Sequence, residues 1–282
     1  MSLLGSLISL AQTKVVEFAS LDEKKVGAPQ QSAGVLVADD GIIAAVALKG
    51  FNPASASVKN AAGEVVKVKL VSHDPVSRLT LLQLPEGERE GMTKFTKYAD
   101  TETLEPGAKL ESNGELCRLV SFVRRHNGRV LPLTFMRVNH AGKAILPGSP
   151  VLNAKKELAG LIFQSSGDGS SYYTLPVDVL KHLQSLKATG GMFKPCWIGV
   201  SMDHLSDAPV VIGVRPSAPA RVAGMMKGDV ILSIGGKAVG SYPEVVNAFY
   251  YLQAAKPTDF KVIRGTEVKT FSVTPEVNPL YK

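Results

Sequence analysis

Cysteine is scarce in this sequence, with only Cys117 and Cys196 among 282 residues. Two cysteines form one disulfide at most, so a framework of disulfide bonds does not hold this fold together. The two thiols could be bridged or free, and they leave the redox compartment open. Stability must therefore come from a hydrophobic core, for which an apolar fraction of 45% supplies enough side chains.

Long hydrophobic runs are also absent. No apolar stretch reaches the roughly 18 residues that a membrane-spanning helix needs, so we expect no membrane span. Residues 1–10 are apolar but carry no basic segment, so a signal peptide is not visible. They fit the remainder of a removed export signal as well as they fit a first strand or helix.

Positive charge is in moderate excess, with 32 Lys and Arg against 25 Asp and Glu, a net charge of +7. This excess of positive charge is compatible with nucleic acid as a partner. The densest basic cluster is short, however, and consists of Arg118, Arg124, Arg125 and Arg129. We interpret it as a solvated face and predict no nucleic-acid binding. The sequence also lacks the HxxxH, CxxC and phosphate-loop patterns, so we predict no metal and no cofactor.

Residues 32–174 are predicted to form short β-strands separated by turns. Asp39-Asp40-Gly41 is a hairpin turn signal between two apolar runs. Residues 66–70 alternate between apolar and polar side chains, as a half-buried strand does. Further strands are predicted at 79–84, 116–123, 131–138 and 158–163. Short strands at this spacing favour a barrel or a sandwich.

The pattern changes after Leu175. Pro176 can begin a helix, and apolar residues then recur at helical spacing at Val179, Leu180, Leu183 and Leu186. Gly190-Gly191 is interpreted as a linker that follows this helix. At roughly 100–200 residues per domain, the length predicts about two domains. We assign them to residues 1–189 and 195–282.

The second predicted domain resembles a PDZ domain. The resemblance rests on Ser217-Ala218-Pro219-Ala220, Ala223-Gly224 and Lys227-Gly228-Asp229-Val230-Ile231, which match a short helix, a turn and a central strand. It implies a small α+β fold with a groove for protein C-termini or extended peptides. Such a ligand adds as a strand to an open sheet edge.

The same resemblance assigns the peptide-binding residues. Trp197-Ile198-Gly199-Val200 matches the loop that binds the ligand carboxylate, where a glycine lets backbone N–H groups converge. The helix over residues 243–252 would form the other wall of the groove. Its candidate pocket residues are Val245, Val246 and Phe249, although helical spacing fits core packing equally well for each of them.

The first predicted domain then resembles the trypsin-like protease domain of the HtrA/DegP family. Three segments carry this resemblance: Asp40-Gly41-Ile42-Ile43, then Ser72-His73-Asp74-Pro75 with residues 79–84, and Gly148-Ser149-Pro150-Val151-Leu152-Asn153 with residues 158–161. The fold it implies is mostly β, a trypsin-like double six-stranded β-barrel followed by the small PDZ domain.

The residues at the matched catalytic positions cannot perform the protease reaction. The histidine position falls on Leu48, the aspartate position on Arg78 and the nucleophile position on Pro147. Leucine accepts no proton, and arginine would repel an imidazolium. Proline has neither a hydroxyl nor the backbone N–H that the oxyanion hole of this architecture requires.

An alternative register makes Ser149 the nucleophile. Its second oxyanion donor would then be the amide of residue 147, which is again proline. We therefore predict a catalytically inactive HtrA-like protease homologue that binds peptides and acts as a scaffold or regulator. The alternative is an active serine endopeptidase of protein quality control whose triad is misassigned. The resemblance also implies a periplasmic or other extracytoplasmic location and assembly into homotrimers.

Overall fold

The computed structural model describes residues 13–22, 28–140, 144–188, 193–204, 206 and 208–281. The apolar residues 1–10 and the Gly190-Gly191 linker of the sequence analysis lie outside these described residues. The described residues fall into two compact units. One holds those within 1–122 and 135–193, and the other holds those within 123–134 and 194–282.

The first unit begins with a curled sheet whose strands follow the order β5-β4-β1-β2-β3-β7-β6. In chain order the strands are β1 (Lys14–Phe18), β2 (Gln30–Leu36), β3 (Ile42–Val46), β4 (Ser57–Lys59), β5 (Val65–Lys67), β6 (Lys69–His73) and β7 (Leu79–Gln83). The two edge strands, β5 and β6, are separated by Val68 alone. Because one residue joins both edges, the sheet must curl round on itself.

The structure describes seven strands in this sheet, whereas the sequence analysis expected six. The difference lies in the predicted strand over residues 66–70, which is interrupted at Val68. The backbone N–H of Val68 donates to the Ala56 carbonyl at 2.9 Å, and its side chain is buried. This bond turns the backbone of Val68 out of the ladder, so one predicted run becomes β5 and β6.

Apolar side chains fill the interior of the curled sheet. Every residue of β3 is buried, which explains why the sequence from Ile42 to Val46 is wholly apolar. Its Ile43 packs in one cluster with Phe18 and Leu82 from neighbouring strands.

A closed six-stranded barrel follows in the order β10-β13-β12-β11-β8-β9. Its strands are β8 (Lys109–Ser112), β9 (Glu115–His126), β10 (Arg129–His140), β11 (Pro150–Asn153), β12 (Leu158–Ser165) and β13 (Ser171–Pro176). The helix α1 (Val177–Ala188) comes directly after it. This mostly β architecture confirms the fold class expected from the sequence.

The C-terminal residues form a small α+β arrangement with its own core around Ile231, Val245 and Phe260. Its elements are β14 (Cys196–Trp197), β15 (Val200–Met202), β16 (Val211–Val214), α2 (Pro219–Val222), β17 (Val230–Ile234), β18 (Lys237–Ala238), α3 (Tyr242–Tyr250), β19 (Thr258–Arg264), β20 (Glu267–Val273) and β21 (Glu276–Val277). β14 pairs with β21, β15 pairs with β16, and the remaining strands follow the order β18-β17-β19-β20. Within the described parts of the chain, no helix has the length and apolar character to cross a membrane.

Candidate functional sites: the matched triad positions and the C-terminal groove

Leu48 and Arg78 lie at the same end of two neighbouring strands. β3 and β7 are antiparallel, with Val46 opposite Leu79. Beyond this pair the ladder continues, because the N–H of Ala47 donates to the Arg78 carbonyl at 3.0 Å. Leu48 therefore follows a residue that is bonded directly to Arg78.

Two polar side chains of β2 bond the backbone at the end of β3, and one of them, Ser32, also bonds Pro147. The Ser32 hydroxyl accepts from the Val46 N–H at 3.0 Å and donates to the Pro147 carbonyl at 3.0 Å. The Gln30 amide accepts from the Leu48 N–H at 2.8 Å and donates to the Val46 carbonyl, also at 2.8 Å. The fold thus brings the three matched positions together around the start of β2. The sequence analysis missed Gln30 and Ser32, although polar residues at the start of an apolar strand were a signal.

At two of these positions, one side chain is apolar and the other is positively charged. Leu48 is half-buried, and Arg78 has a left-handed backbone with φ of 64°. The nearby His73 lies on β6, with its Nδ1 at 2.9 Å from the Thr80 hydroxyl. Burial lowers the pKa of His73 to about 4, and the positive charge of Arg78 acts in the same direction. His73 is therefore neutral at pH 7.

Asp74, which the sequence places beside His73, has a structural role in the loop before β7. Its carboxylate accepts from the Val76 N–H at 2.8 Å and the Ser77 N–H at 3.1 Å, and it also bonds the Ser77 hydroxyl. These bonds satisfy a buried carboxylate and fix the turn that leads to Arg78.

The backbone N–H groups of residues 147–149 do not form an oxyanion hole. Pro147 has no N–H, the Gly148 N–H donates to the Ile162 carbonyl at 2.7 Å, and the Ser149 N–H donates to the Leu146 carbonyl at 3.2 Å. Ser149 is 2% exposed. An oxyanion needs donors that face the reacting carbonyl, and these two donors already bond other parts of the domain.

Gly148 fixes this turn against β2. Its φ is +80°, and a Cβ at this position would lie 2.2 Å from the Ala33 carbonyl oxygen. The N–H of Ala33 donates to the Pro147 carbonyl at 2.7 Å. The turn is therefore bonded to β2 through a backbone carbonyl and not through an N–H group. Any residue at position 147 supplies that carbonyl, including proline.

In the C-terminal unit, Gly199 adopts a conformation that requires glycine. Its φ is +79°, and a Cβ would lie 2.2 Å from the Cβ of Ala218. The Ile198 carbonyl accepts from the Ala220 N–H at 2.9 Å, and the Gly199 carbonyl accepts from the Arg215 N–H at 2.8 Å. In a trans peptide the N–H points opposite to the C=O. The N–H groups of Gly199 and Val200 therefore point away from these partners.

A groove with a volume of about 340 Å³ lies at this loop. Its lining consists of Cys196, Trp197, Ile198, Gly199, Val200, Ser201, Arg215, Phe249, Asn278, Pro279 and Leu280. The four residues of the predicted loop are all among them, and so is Phe249 of α3. The sequence analysis missed Arg215 and residues 278–280, because nothing in their local sequence indicates a groove.

Two predicted pocket residues of α3 do not line this groove. Val245 is fully buried and belongs to the core cluster, so its assignment to the pocket is corrected. Val246 is half-buried and is absent from the groove lining. Phe249 combines both roles, since its ring also packs on Phe260 with centroids 6.2 Å apart.

One edge of β15 is available for another strand. Among the described residues, β15 pairs only with β16. Arg215 lines the same groove, and its guanidinium carbon lies 5.6 Å from the centroid of the Trp197 ring, which places a positive charge at the groove. Both cysteines are free thiols. Burial raises the pKa of Cys117 to about 11, and burial also raises the pKa of Cys196, which lines the groove.

The first unit, a curled sheet followed by a closed six-stranded barrel, defines a trypsin-like domain. A small α+β module with a groove follows it along the chain. The PDZ domain family matches residues 196–274. Among solved structures, "HtrA-type protease AlgW with tripeptide" has a TM-score of 0.69 at 17% identity and covers 96% of this chain and 95% of that chain. This likeness shows the fold.

Curated relatives carry related names. The chain is 25% identical over 235 residues to a "Probable periplasmic serine endoprotease DegP-like" of Marinomonas sp., which covers 75% of this chain and 49% of that relative. The "Putative serine protease HhoB" of Synechocystis sp. is 23% identical over 278 residues, which covers 86% of this chain and 65% of that relative. The chain thus spans about half to two thirds of the length of these relatives. It is HtrA/DegP-like, with a trypsin-like domain followed by a single PDZ domain.

Proposed function

We propose that this HtrA-like protein is catalytically inactive and that its function is the binding of peptides by the PDZ domain. The observation that carries the proposal is the state of residues 147–149. One of them has no N–H, and the N–H groups of the other two are bonded to Leu146 and Ile162. The relatives are named as serine proteases, one of them as an endoprotease, so an active endopeptidase is the alternative that experiment must exclude.

The side chains support the same conclusion. Acyl transfer by a serine needs a base within hydrogen-bond reach and a group that orients the base. Leu48 and Arg78 supply neither. The only hydroxyl in the 147–149 turn belongs to Ser149, which is buried. The protease domain then has the role of a scaffold or of a regulator of active relatives.

Labelling with a serine-directed fluorophosphonate and cleavage of labelled casein test the inactive assignment. Trypsin serves as the positive control, and Ser149→Ala is the matched variant. We expect no labelling and no cleavage by the wild-type chain beyond the level of Ser149→Ala. Stoichiometric labelling, or casein turnover that Ser149→Ala abolishes, would establish the active alternative.

The binding role is supported by the geometry around Gly199. The N–H groups of Gly199 and Val200 point away from the groups that bond the neighbouring carbonyls, and Arg215 adds a positive charge to the same groove. These groups suit a carboxylate. The free edge of β15 suits an extended peptide, and Phe249 offers an apolar surface for its last side chain.

Fluorescence anisotropy with N-terminally labelled hexapeptides tests this role on the full chain. The peptides end in Val, Leu or Phe and carry either a free carboxylate or an amide. We expect the free acid to bind about tenfold more tightly, since tenfold corresponds to about 1.4 kcal/mol, the scale of one hydrogen bond to a charged group.

A pair of glycine variants provides the control. Gly199→Ala should weaken binding of the free acid because it forces the loop out of its left-handed conformation. Gly213→Ala should leave binding unchanged, since a Cβ there meets only the Ser201 Cβ at 3.8 Å. Equal binding of acid and amide, or equal effects of both variants, would contradict the proposed carboxylate site.

Location and assembly are part of the proposal. The Marinomonas relative is named periplasmic, which supports an extracytoplasmic location. Assembly into homotrimers is tested by light scattering after gel filtration. The expected particle has three times the chain mass of 30.0 kDa, and a monodisperse peak at the mass of one chain would exclude the trimer.

A further inference from the structure

Residues 278–280 line the groove together with residues 196–201 and Phe249 of α3. They follow β21, which is antiparallel to β14 with Cys196 opposite Val277 and Trp197 opposite Glu276. The Asn278 N–H extends this pairing by donating to the Pro195 carbonyl at 2.8 Å. β14 ends immediately before the carboxylate loop, so the segment is held at that end of the groove.

A short turn folds the segment back at this position. The Leu280 N–H donates to the Asn278 side-chain oxygen at 3.1 Å. Pro279 restricts the backbone between these two residues. Pro279 and Leu280 line the same 340 Å³ groove as Gly199 and Phe249.

The direction of an added strand shows what these residues do. A ligand that pairs antiparallel with β15 runs from Met202 towards Val200, so its C-terminal end reaches the N–H groups of Gly199 and Val200. A ligand that continued beyond this point would run on past the loop towards β14. The edge of β14 is already paired with β21, and residues 278–280 line the groove at its side.

We infer that residues 278–280 close the carboxylate end of the groove, so that it accepts a free peptide C-terminus and rejects an internal peptide segment. The inference rests on the proposed peptide-binding function and specifies its substrate class. It predicts that internal peptide segments are rejected by steric exclusion. The residues responsible for this exclusion are not needed for the core of the domain. Leu280 is 88% exposed, so its removal leaves the core of the PDZ domain intact.

The test compares three labelled peptides of one sequence ending in Leu: the free acid, the amide, and the same peptide extended by Gly-Ser-Gly with a free carboxylate. They are titrated against the wild-type chain, a chain that stops at Val277, and the double variant Pro279→Gly/Leu280→Gly. Val268→Ala, at another exposed apolar residue of the same domain, is the control. Thermal unfolding of each variant verifies folding.

We expect the wild-type chain and the control variant to bind the free acid at least about 30-fold more tightly than the extended peptide. In both altered chains this affinity ratio should fall below about fivefold, because they gain affinity for the extended peptide. If the altered chains reject the extended peptide as strongly as the wild type, the closing wall is refuted while the binding function stands. Equal wild-type binding of the free acid and the extended peptide also refutes it. If the wild-type chain binds none of the three peptides, the proposed function fails as well.

Discussion

Removal of the Arg264 guanidinium should destabilise the PDZ domain strongly. Asp229, within the Lys227-Gly228-Asp229 run that carries the PDZ resemblance, has a side chain with no exposed surface. Arg264 holds its carboxylate with two bonds, from Nε to Oδ1 at 2.7 Å and from Nη2 to Oδ2 at 2.9 Å. A third bond comes from the Met226 N–H at 3.0 Å. The variant Arg264→Leu removes two of these three donors.

The magnitude follows from the burial of the carboxylate. Removing one partner of a buried ion pair costs about 3–5 kcal/mol, because the other charge stays buried and unpaired. Arg264 is 25% exposed, so water can partly replace it and we expect a value near the lower end, about 3 kcal/mol. The exposed pair of Lys269 and Glu267 provides the control, since Lys269→Met should change stability much less than Arg264→Leu does.

Guanidinium unfolding followed by tryptophan fluorescence measures this effect selectively. Trp197 is the single tryptophan of the chain, and it lies in the same unit as Asp229 and Arg264. A loss below about 1 kcal/mol for Arg264→Leu, the level of a surface pair, would refute the argument that burial makes this pair important.

The pH dependence provides a second check on the same pair. Burial acts to raise the pKa of Asp229, but the hydrogen bonds from Arg264 and Met226 outweigh it, and the pKa lies below its ordinary value. A carboxyl with a lowered folded-state pKa contributes stability above its unfolded pKa of about 4 and loses that stability as the pH falls further. The stability difference between the wild type and Asp229→Asn should therefore be largest near pH 7 and shrink below about pH 4.

Three further predictions concern the protease domain. Gly148→Ala should lower the stability of this domain by at least about 1–2 kcal/mol, the cost of an alanine with a left-handed backbone, as measured by calorimetry. Gly167→Ala should be neutral, because no atom lies near the new Cβ. The triple variant Leu48→His/Arg78→Asp/Pro147→Ser should cleave casein at least about 100-fold more slowly than trypsin. The serine restores the N–H of residue 147, but the second oxyanion donor, the Ile145 N–H, stays bonded to the Tyr172 hydroxyl at 3.1 Å, and one lost donor costs about 10²–10³ in rate. Turnover within tenfold of trypsin would contradict this. The His73 ring should not titrate by NMR between pH 5 and 8, since its pKa in the folded protein is about 4. In the unfolded chain the pKa of this histidine is about 6.5, so the stability of the domain should fall as the pH drops from about 6.5 towards 4. Arg78→Gln should raise that pKa, and an unchanged value would contradict the assigned charge effect.

The sequence predicted part of the order of elements, because burial in this fold follows periodic patterns, but it did not predict the strands β1, β8 and β11. The apolar run from Ile42 to Val46 becomes a strand buried along its whole length. The interruption at Val68 was not predictable from the alternating pattern of residues 66–70. It depends on a bond to Ala56, twelve residues earlier in the chain, and alternation of side chains contains no information about such a bond.

The candidate groove was predictable only where the local sequence determines the backbone. Gly199 was assigned through the resemblance of residues 197–200 to a carboxylate-binding loop, and its left-handed backbone in the structure favours glycine. Val245 and Phe249 share the same apolar character and helical spacing, yet one is in the core and the other lines the groove. Arg215 and residues 278–280 reach the groove through pairing with distant segments, such as Cys196 with Val277. No local pattern records these contacts.

The two sites differ in how tightly the fold constrains them. At Leu48 and Pro147 the hydrogen bonds to β2 involve backbone groups of these residues, the Leu48 N–H bonded to Gln30 and the Pro147 carbonyl bonded to Ser32 and Ala33. A histidine or serine side chain at these positions would serve catalysis and not the fold, so its replacement leaves the architecture intact. At Gly199 the backbone conformation and the contact with Ala218 exclude every side chain. The side chains at Leu48 and Pro147 can therefore change while the structure is preserved, whereas the loop around Gly199 is fixed by the packing of the PDZ domain itself.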